Sequence, residues 1–246
     1  MTQLAVGVDI GGTGIKAGLV DIVTGEFSAE RIKVETPAGG EPEDIAHVVR
    51  EVIKTLAPSN DVPIGVAFPS AIVDGVTRLA ANVSKRWIDF AAESFFEQEL
   101  GRPIHFVNDA DAAGFAEATF GAARGVNGLV IMTTLGTGIG SALIYNGVLV
   151  PGSELGHLEI GGREAESFAA NRVRESEGLD WPSWAARLTE FYAHVEMLFS
   201  PQLFLIGGGV SKHAEEFIPL IDVRTPVQVA QLRNDAGILG AAALAV

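Results

Sequence analysis

The tetrapeptide Gly-Thr-Gly-Ile occurs twice in this chain, at residues 12–15 and again at residues 136–139. Both copies lie between apolar runs typical of β-strands, and about half of the 246 residues separate them. In a plain doubly wound nucleotide-binding sheet a helix follows the glycine turn, whereas here a second strand follows it. The repeat therefore predicts two similar α/β lobes, each with a mixed sheet built on a strand–turn–strand unit.

The composition of the two turns suggests phosphate binding. Glycines allow backbone N–H groups to approach phosphate oxygens without interference from a Cβ. Thr13 and Thr137 add hydroxyl donors, and Lys16 adds a positive charge beside the first turn. For one copy alone, an ordinary glycine-rich hairpin is the better interpretation, because short glycine patterns are common. Two copies favour a polyanion held by both lobes, as in phosphoryl transfer, although the Gly-Lys-Ser/Thr of a Walker A motif is absent.

Hydrophobic periodicity and turn residues give a coarse map of the elements. An Asn-Gly pair at residues 146–147 predicts a tight hairpin. Helices are predicted at residues 42–56, 90–100, 110–120, 164–177, 181–199 and 236–245. Strands are predicted at residues 4–8, 17–20, 27–34, 62–68, 104–107, 128–134, 141–145, 148–150 and 203–206.

Charge and composition exclude several classes of protein. The net charge of −14 repels nucleic acid and anionic membranes, so neither is expected as a partner. No apolar run reaches the roughly 18 residues of a membrane span, and no signal peptide is recognised, which predicts a cytoplasmic protein. Cysteine is absent, which excludes disulfides, thiolate metal sites and a cysteine nucleophile.

Asn108 and Asp109 form the strongest candidate catalytic pair, because they follow the predicted strand at residues 104–107. A carboxylate beside a hydroxyl group can accept its proton as a new phosphorus–oxygen bond forms. The alternative is that the aspartate caps the following helix. Residue spacing alone leaves both interpretations open.

Two further segments carry polar or glycine-rich patterns. Glu154, His157 and Glu166 concentrate in a glycine-rich stretch and suit hydrogen bonding to a polyol. A zinc site is the alternative, but with one histidine and no cysteine it is the weaker one. A triple glycine after the predicted strand at 203–206 can accommodate a nucleotide, or can serve as a tight strand-to-helix connection; it comprises Gly207, Gly208 and Gly209.

A series of motifs runs through nearly the whole chain. They are Asp9-Ile10-Gly11-Gly12-Thr13 with Lys16, Asn82, Asn108-Asp109, Leu135-Gly136-Thr137-Gly138, Glu154-Leu155-Gly156-His157 and the triple glycine. Taken in order, these motifs resemble the ROK (repressor, ORF, kinase) sugar kinases. The resemblance implies an α/β, actin-like ATPase fold of two ribonuclease-H-like lobes around a central cleft. The smaller lobe would comprise residues 1–108, completed by a C-terminal helix at about 236–246, and the larger lobe residues 109–235.

The resemblance also implies a role for each matching residue. Asp109 resembles the catalytic base for a sugar 6-hydroxyl, and Asp9 is a candidate to hold Mg²⁺ through water. The sugar ligands implied are Asn82, Asn108, Asp109, Glu154, His157 and Glu166. The phosphate and ATP ligands implied are Asp9, Gly11, Gly12, Thr13, Lys16, Thr134, Gly136, Thr137, Gly138, Gly207, Gly208 and Gly209.

One departure from the family pattern narrows the expected branch of the family and its phosphate donor. Most members follow Glu-Leu-Gly-His with a cysteine cluster that binds structural zinc and ends in a sugar-binding glutamate, whereas this chain has no cysteine. Glu166 falls where that glutamate is expected. With Phe68-Pro69-Ser70-Ala71 and the segment at 82–87, this resembles the branch that phosphorylates glucose with inorganic polyphosphate, often also with ATP. It implies glucose, polyphosphate, ATP and Mg²⁺ as ligands, no structural zinc, and a homodimer.

Alternatives stay open at this point. The chain could be a hexokinase that uses ATP only, a sugar-responsive repressor, or a non-catalytic actin-like scaffold. Only eight residues precede Asp9, which argues against the DNA-binding domain that family repressors carry there. A polyphosphate track needs cations, and these could equally be scattered surface charges; the candidates are Lys16, Lys85, Arg86, Arg163 and Arg172.

Overall fold

The computed structural model describes residues 3–57, 59–80 and 83–246. Asn82, one of the predicted sugar ligands, lies outside the described residues. The chain divides into two compact units. The first unit comprises Met1–Ala116 with Asp235–Val246, and the second comprises Glu117–Asn234.

The first unit contains one main sheet, a small hairpin and four helices among its described residues. Its strands are β1 (Leu4–Ile10), β2 (Gly14–Asp21), β3 (Glu26–Phe27), β4 (Ile32–Glu35), β5 (Ile64–Phe68), β6 (Ile72–Val73), β7 (Val76–Thr77) and β8 (His105–Asn108). Its helices are α1 (Pro42–Leu56), α2 (Ala92–Leu100), α3 (Asp109–Phe120), which continues into the second unit, and the C-terminal helix (Ala236–Leu244).

The main sheet of the first unit has the strand order β3-β2-β1-β5-β8, with β4 also paired to β2. β1 and β2 are antiparallel, whereas β1, β5 and β8 run parallel to one another. The strand predicted at residues 27–34 was wrong as one element, because β3 and β4 pair separately with β2. Gly18 lies opposite this break, and a Cβ there would lie 2.6 Å from the Phe27 ring.

The C-terminal helix packs backbone against backbone on this sheet. A Cβ on Gly7 would lie 1.9 Å from the Ile238 carbonyl oxygen, and one on Gly65 would lie 1.8 Å from that of Ala241. Such distances are impossible for any side chain, so glycines in the strands allow the helix to approach closely. This explains why the helix is rich in small residues.

The second unit repeats the same plan. Its main sheet has the order β11-β10-β9-β14-β15, with β9, β14 and β15 parallel and β10 antiparallel between β9 and β11. The strands are β9 (Leu129–Leu135), β10 (Ile139–Tyr145), β11 (Val148–Val150), β12 (Glu159–Ile160), β13 (Arg163–Glu164), β14 (Leu203–Gly207) and β15 (Val227–Val229). The helices are α4 (Glu166–Ala169), α5 (Asn171–Glu177), α6 (Trp181–Phe199) and α7 (Ala214–Phe217).

Two sheets with equal strand order and direction are the ribonuclease-H-like arrangement, so the predicted α/β, actin-like fold is confirmed. The predicted hairpin at Asn146 and Gly147 is also present, with φ of 52° and 81°. Both values lie in the left-handed region that a two-residue hairpin of this kind requires. In the part of the chain that the structure describes, no helix combines the length and apolar character needed to cross a bilayer.

The single helix predicted at residues 164–177 was wrong. Residue 164 ends β13, and the remainder forms α4 and α5, separated by Ala170 in extended conformation with ψ of 152°. Side chains of α6 take the carbonyls that a continuous helix would use. Trp184 Nε1 donates to the Ala169 carbonyl at 2.9 Å and Arg187 Nη1 to that of Phe168 at 3.0 Å. These long-range bonds are invisible to local periodicity.

Candidate active-site residues

In the first unit, three candidate segments follow the carboxyl ends of parallel strands. The first glycine turn follows β1, Ser70 comes shortly after β5, and Asp109 follows β8. Because β1, β5 and β8 are parallel neighbours, these ends lie at one edge of the sheet. This is the edge at which open α/β sheets bind their ligands.

Asn108 and Asp109 have different local roles. Asn108 is 8% exposed. Its Nδ2 donates to the Ser70 carbonyl at 2.9 Å, and its Oδ1 accepts the Asp111 N–H at 3.0 Å, so Asn108 caps α3. Asp109 is half-buried and its Oδ1 accepts the N–H of Ala110 at 2.8 Å. The capping role considered for the aspartate therefore belongs mainly to the asparagine, and Asp109 stands at the positive end of the helix.

The first turn carries an ion pair across its two strands. Asp9 on β1 lies opposite Lys16 on β2, and Lys16 Nζ is 3.2 Å from Asp9 Oδ2. The Asp9 carboxyl also packs against the start of the C-terminal helix, where a Cβ on Gly237 would lie 2.9 Å from Asp9 Cγ. Thr36 Oγ1 donates to the Gly11 carbonyl at 2.5 Å and holds the turn in place. Gly12 and Thr13, at the tip, are exposed.

The second turn is in contact with a carboxylate. Glu166 Oε2 accepts the Ile139 N–H at 3.3 Å, and a Cβ on Gly138 would lie 2.3 Å from that oxygen. A side chain at residue 138 would therefore displace the Glu166 carboxylate from this position. Gly136, in contrast, has open space where a Cβ would lie, and its carbonyl accepts the Arg172 N–H at 3.0 Å.

The other predicted donor ligands of the second unit lie beside the second turn, where the parallel strands β9 and β14 end. Thr134 is paired with Gly207 where the parallel strands β9 and β14 end. Gly208 follows with φ of 82°, and a Cβ there would lie 2.6 Å from the Leu135 carbonyl oxygen. Close backbone packing and a left-handed conformation both demand glycine at 208. The triple glycine thus lies against the strand that leads into the second turn, with Gly208 and Gly209 exposed.

Three predicted sugar ligands are brought together in the second unit. His157 and Glu166 have ligand atoms within 4.8 Å of each other. Burial raises the pKa of the Glu154 carboxyl, while the charge of His157 opposes that rise and Glu166 adds to it. The segment between Glu154 and His157 is fixed on β10, because a Cβ on Gly156 would lie 2.3 Å from the Ile139 carbonyl oxygen. The result is an acidic, hydrogen-bonding cluster beside the second turn.

His157, Glu164 and Glu166 could offer a metal ion one imidazole and two carboxylates, since their ligand atoms all lie within 4.8 Å of one another. Structural zinc sites are closed by four ligands, mostly thiolate and imidazole. This chain has no cysteine, so the donor set does not fit such a site. The expectation of no structural zinc stays a prediction.

The candidate cations for polyphosphate differ in how far they are neutralised. Arg86 forms ion pairs with Glu43 and with Glu41, the latter at 3.2 Å. Lys85 Nζ donates to the Ala80 carbonyl at 2.5 Å. In the second unit, the Arg163 guanidinium lies 4.4 Å from the centre of the Phe168 ring and 3.9 Å from a Glu190 oxygen.

Arg172 differs from these cations. Its side chain is exposed and forms no ion pair with any described residue. Its backbone N–H donates to the Gly136 carbonyl in the second turn at 3.0 Å. Arg172 therefore has a charge without an ion-pair partner among the described residues, and its backbone is fixed beside the second turn, a predicted phosphate loop.

Sequence reasoning missed the groups that hold the candidate residues in place. Ser70, 4% exposed, supplies the carbonyl that Asn108 binds, and Thr36 supplies the hydroxyl that holds the first turn. Ser70 belongs to the motif Phe68-Pro69-Ser70-Ala71, so the sequence did contain a signal for its importance. Thr36 carried no pattern that could have indicated its contact, because Gly11 lies on another strand connection.

Comparison with known proteins places the chain among sugar kinases. It is 45% identical over 241 residues to a polyphosphate glucokinase of Mycobacterium tuberculosis (strain CDC 1551 / Oshkosh), covering 98% of this chain and 90% of that protein. An inorganic polyphosphate/ATP-glucomannokinase structure from Arthrobacter sp. strain KM is 49% identical, with a TM-score of 0.91, covering 98% of this chain and 97% of that one.

A ROK family glucokinase structure from Streptomyces griseus, in complex with glucose and AMPPNP, is 26% identical with a TM-score of 0.81. That match covers 98% of this chain and 99% of the other. The sequence model of the ROK family matches residues 5–178, which is more than half of the 246 residues. The chain belongs to the ROK family.

Proposed function

We propose that this chain transfers a phosphoryl group from inorganic polyphosphate or ATP to the 6-hydroxyl of glucose, giving glucose 6-phosphate. The observation that carries the proposal is near-complete coverage, 98% of the chain, at 45% and 49% identity to proteins named for this chemistry. The placement of Asp109 at the carboxyl edge of a sheet and at a helix N-terminus supports it.

Asp109 is proposed as the general base. As the sugar O6 forms its bond to the transferred phosphorus, the bond from that phosphorus to the donor oxygen breaks. The hydroxyl proton passes to the Asp109 carboxylate. Asp109 is the first residue of α3, so its carboxylate lies at the positive end of the helix dipole.

Sugar recognition is assigned to the hydrogen-bonding side chains predicted from the sequence. Glu154, His157 and Glu166 share one region of the second unit, and they can accept from and donate to several hydroxyl groups. Asn108 uses one N–H and one lone pair for internal bonds, which leaves its other N–H and lone pair for a ligand. Asn82 remains in this set as a prediction from the sequence.

Donor binding is assigned to both glycine-threonine turns and to the triple glycine. Backbone N–H groups at such turns bind phosphate oxygens, and Lys16 adds charge in the first unit. Mg²⁺ would accompany the donor and offset its negative charge, and Asp9 offers the oxygen ligand that Mg²⁺ prefers. Choice of Mg²⁺ over other divalent ions, the homodimeric state and a cytoplasmic location are parts of the same proposal.

The test is an activity matrix of donors and sugars on purified protein. Polyphosphate and ATP are each combined with glucose, mannose and glucosamine, and sugar phosphate is measured. We expect glucose 6-phosphate with both donors. Formation of sugar phosphate with ATP alone would instead indicate an ATP-dependent hexokinase. Glucose binding without turnover would instead indicate a regulator.

The Asp109→Asn variant tests the mechanism. Loss of a general base lowers rates by about 10²- to 10⁴-fold, so kcat falls by that order while calorimetric glucose affinity is largely kept. The matched control is Asp89→Asn, because Asp89 is exposed, pairs with Arg78 and has a φ of 53° that asparagine tolerates. Near-normal turnover in Asp109→Asn would remove the assignment.

A further inference from the structure

A cavity of about 500 Å³ lies in the first unit at the C-terminal end of α1. Three of its described lining residues are cations: Arg50, Lys54 and Arg102. No carboxylate is among the described residues that line it. On a chain with a net charge of −14, a cavity walled by three cations is unexpected.

The Arg102 guanidinium has no carboxylate partner among the residues that the structure describes. It donates instead to two backbone carbonyls, those of Val62 and of Ser59, the second at 3.5 Å. These neutral acceptors fix the side chain and leave its positive charge uncompensated. A fixed, uncompensated guanidinium is the usual recognition group for a phosphate.

The other two cations are only partly neutralised. Arg50 Nη1 is 3.3 Å from a Glu99 oxygen, and a Glu51 oxygen lies 2.7 Å from Lys54 Nζ and 3.8 Å from Arg50 Nε. These surface pairs are screened by salt, so they can rearrange at little cost. Three cations therefore face two carboxylates, which leaves the region locally positive.

Arg50 also carries an unsatisfied donor. Its Nε is buried and forms no hydrogen bond among the described residues, because the nearby Glu51 oxygen lies 3.8 Å away, beyond hydrogen-bond distance; its Nη2 lies 3.0 Å from His47 Nδ1. Buried donors nearly always have an acceptor, from the protein, from water or from a ligand. An anion in the cavity that Arg50 lines would be such an acceptor.

The remainder of the wall is not suited to a bare ion. Ile53 and Leu100 are apolar, whereas Ser59 and Asn60 offer neutral polar groups. A volume of about 500 Å³ lies within the range of sites for small organic ligands. The wall therefore matches a phosphate attached to a small body with both polar and apolar faces.

We propose that this α1 cavity binds a phosphorylated small molecule, with Arg50 and Arg102 on the phosphate and the remaining wall around the organic part. Lys54 adds charge at the entrance, where its side chain is 63% exposed. The site shares no residue with the groups assigned to phosphoryl transfer. It therefore stands or fails independently of the proposed kinase activity.

The absence of cysteine allows a local reporter to be placed in the full chain. Asn60→Cys, labelled with an environment-sensitive dye, is titrated with glucose 6-phosphate, inorganic phosphate, tripolyphosphate and glucose. We expect a saturable response to glucose 6-phosphate, a weaker one to inorganic phosphate and to tripolyphosphate, none to glucose, and weakening as salt is raised. A second labelled protein, Val23→Cys, at a position 62% exposed, should not respond.

Arg50→Gln and Arg102→Gln, each in the labelled protein, should weaken glucose 6-phosphate binding about tenfold or more, since each removes a charge-assisted contact. Arg78→Gln is the matched control, because Arg78 is exposed and pairs with Asp89 elsewhere. Where loss of the Arg102 bonds lowers stability, Lys54→Gln gives a second reading, with an expected weakening of about threefold. No response at Asn60→Cys, or equal binding in the arginine variants, would overturn the proposal. Equal affinity for tripolyphosphate would overturn the organic part of it.

Discussion

The two Gly-Thr-Gly-Ile turns have the same letters but form different hairpins. In the first unit Ile15 pairs with Ile10, so four residues lie between the paired positions. In the second unit Ile139 pairs with Leu135, so three residues lie between them. The threonine is therefore one of two tip residues in the first turn and the central residue of the second. Equal sequence does not fix the strand register, which pairing with the rest of each sheet decides.

The surroundings of the two turns differ as well. The first turn has its own cation and carboxylate, Lys16 and Asp9, paired across the strands. The second has no charged side chain on its paired strand positions, but it is contacted by Glu166 and by the backbone of Arg172. The difference suggests a division of labour. We predict that the first turn supplies charge to the donor and that the second supplies backbone N–H groups next to the predicted sugar ligands.

Among variants around the two turns, the largest effect is expected where the second turn contacts Glu166. Gly138→Ala would bring a Cβ to 2.3 Å from Glu166 Oε2 and displace that carboxylate from the Ile139 N–H. Because the displaced atom is the end of a flexible side chain, we expect a loss of no more than about 1 kcal/mol in the free energy of unfolding, together with a marked fall in kcat/KM for glucose. Denaturant unfolding and steady-state kinetics measure the two effects.

Gly136→Ala is the matched control, because a Cβ there meets nothing within 4 Å. It should leave stability within about 0.5 kcal/mol and raise only the donor KM. Shortening the carboxylate with Glu166→Asp in the Gly138→Ala background should recover stability. Equal destabilisation by both alanine variants would show that Glu166 does not explain the glycine at 138.

Lys16→Gln tests the charge assigned to the first turn. It removes the ion pair with Asp9 and the charge-assisted contact to the donor that the proposed function assigns to Lys16. We expect the KM of both donors to rise about tenfold, with glucose affinity unchanged. Kinetics with polyphosphate and ATP at saturating glucose provide the measurement. A change in glucose KM instead would place Lys16 away from the donor phosphates.

Glu154→Gln tests the cluster found only beside the second turn. Burial raises the folded-state pKa of Glu154 above its unfolded value, so the ionised side chain destabilises the fold at neutral pH and this penalty disappears as pH falls through that pKa. The variant should raise glucose KM about fivefold, yet unfold no more easily than the parent at pH 7. Unfolding curves and glucose kinetics across pH 5–8 check both points. Lower stability of the variant at pH 7 would contradict the stated sign.

The smallest effect is expected for the exposed cations. Arg172→Gln should raise the donor KM about threefold, because its charge is available beside the second turn. Arg86→Gln is the control, since Arg86 is already paired with Glu41 and Glu43. Comparison at low and high salt separates the two. If Arg86→Gln raised the polyphosphate KM more than Arg172→Gln did, the result would indicate that polyphosphate contacts Arg86 in the first unit.

Much of the secondary structure could be predicted, because local signals specify it. The predicted helices at residues 42–56 and 181–199 match α1 and α6 from end to end. Asp180 caps α6 by accepting the Ser183 N–H at 2.9 Å, and proline stands in the first turn of both helices. The repeated turn, with a strand after the glycines, correctly predicted two similar lobes. Each of these signals acts within a few residues of chain.

The contacts of the candidate residues could not be predicted in the same way. Sequence indicated that Asn108 and Asp109 carry chemistry, but it could not show that the asparagine is the helix cap and binds the Ser70 carbonyl. It predicted Glu166 as a sugar ligand, but it gave no sign of the contact with the Ile139 N–H. The break at Ala170 also depends on side chains from α6.

By itself the sequence determined which residues could carry the chemistry and where most strands and helices form, because residue type and neighbouring residues set these properties. Tertiary structure alone decided the register of the two identical turns, the neutralisation of Arg86, and the cluster of Glu154, His157 and Glu166. Each of those features depends on groups far apart in the chain. Their contacts exist only once sheets and helices have packed.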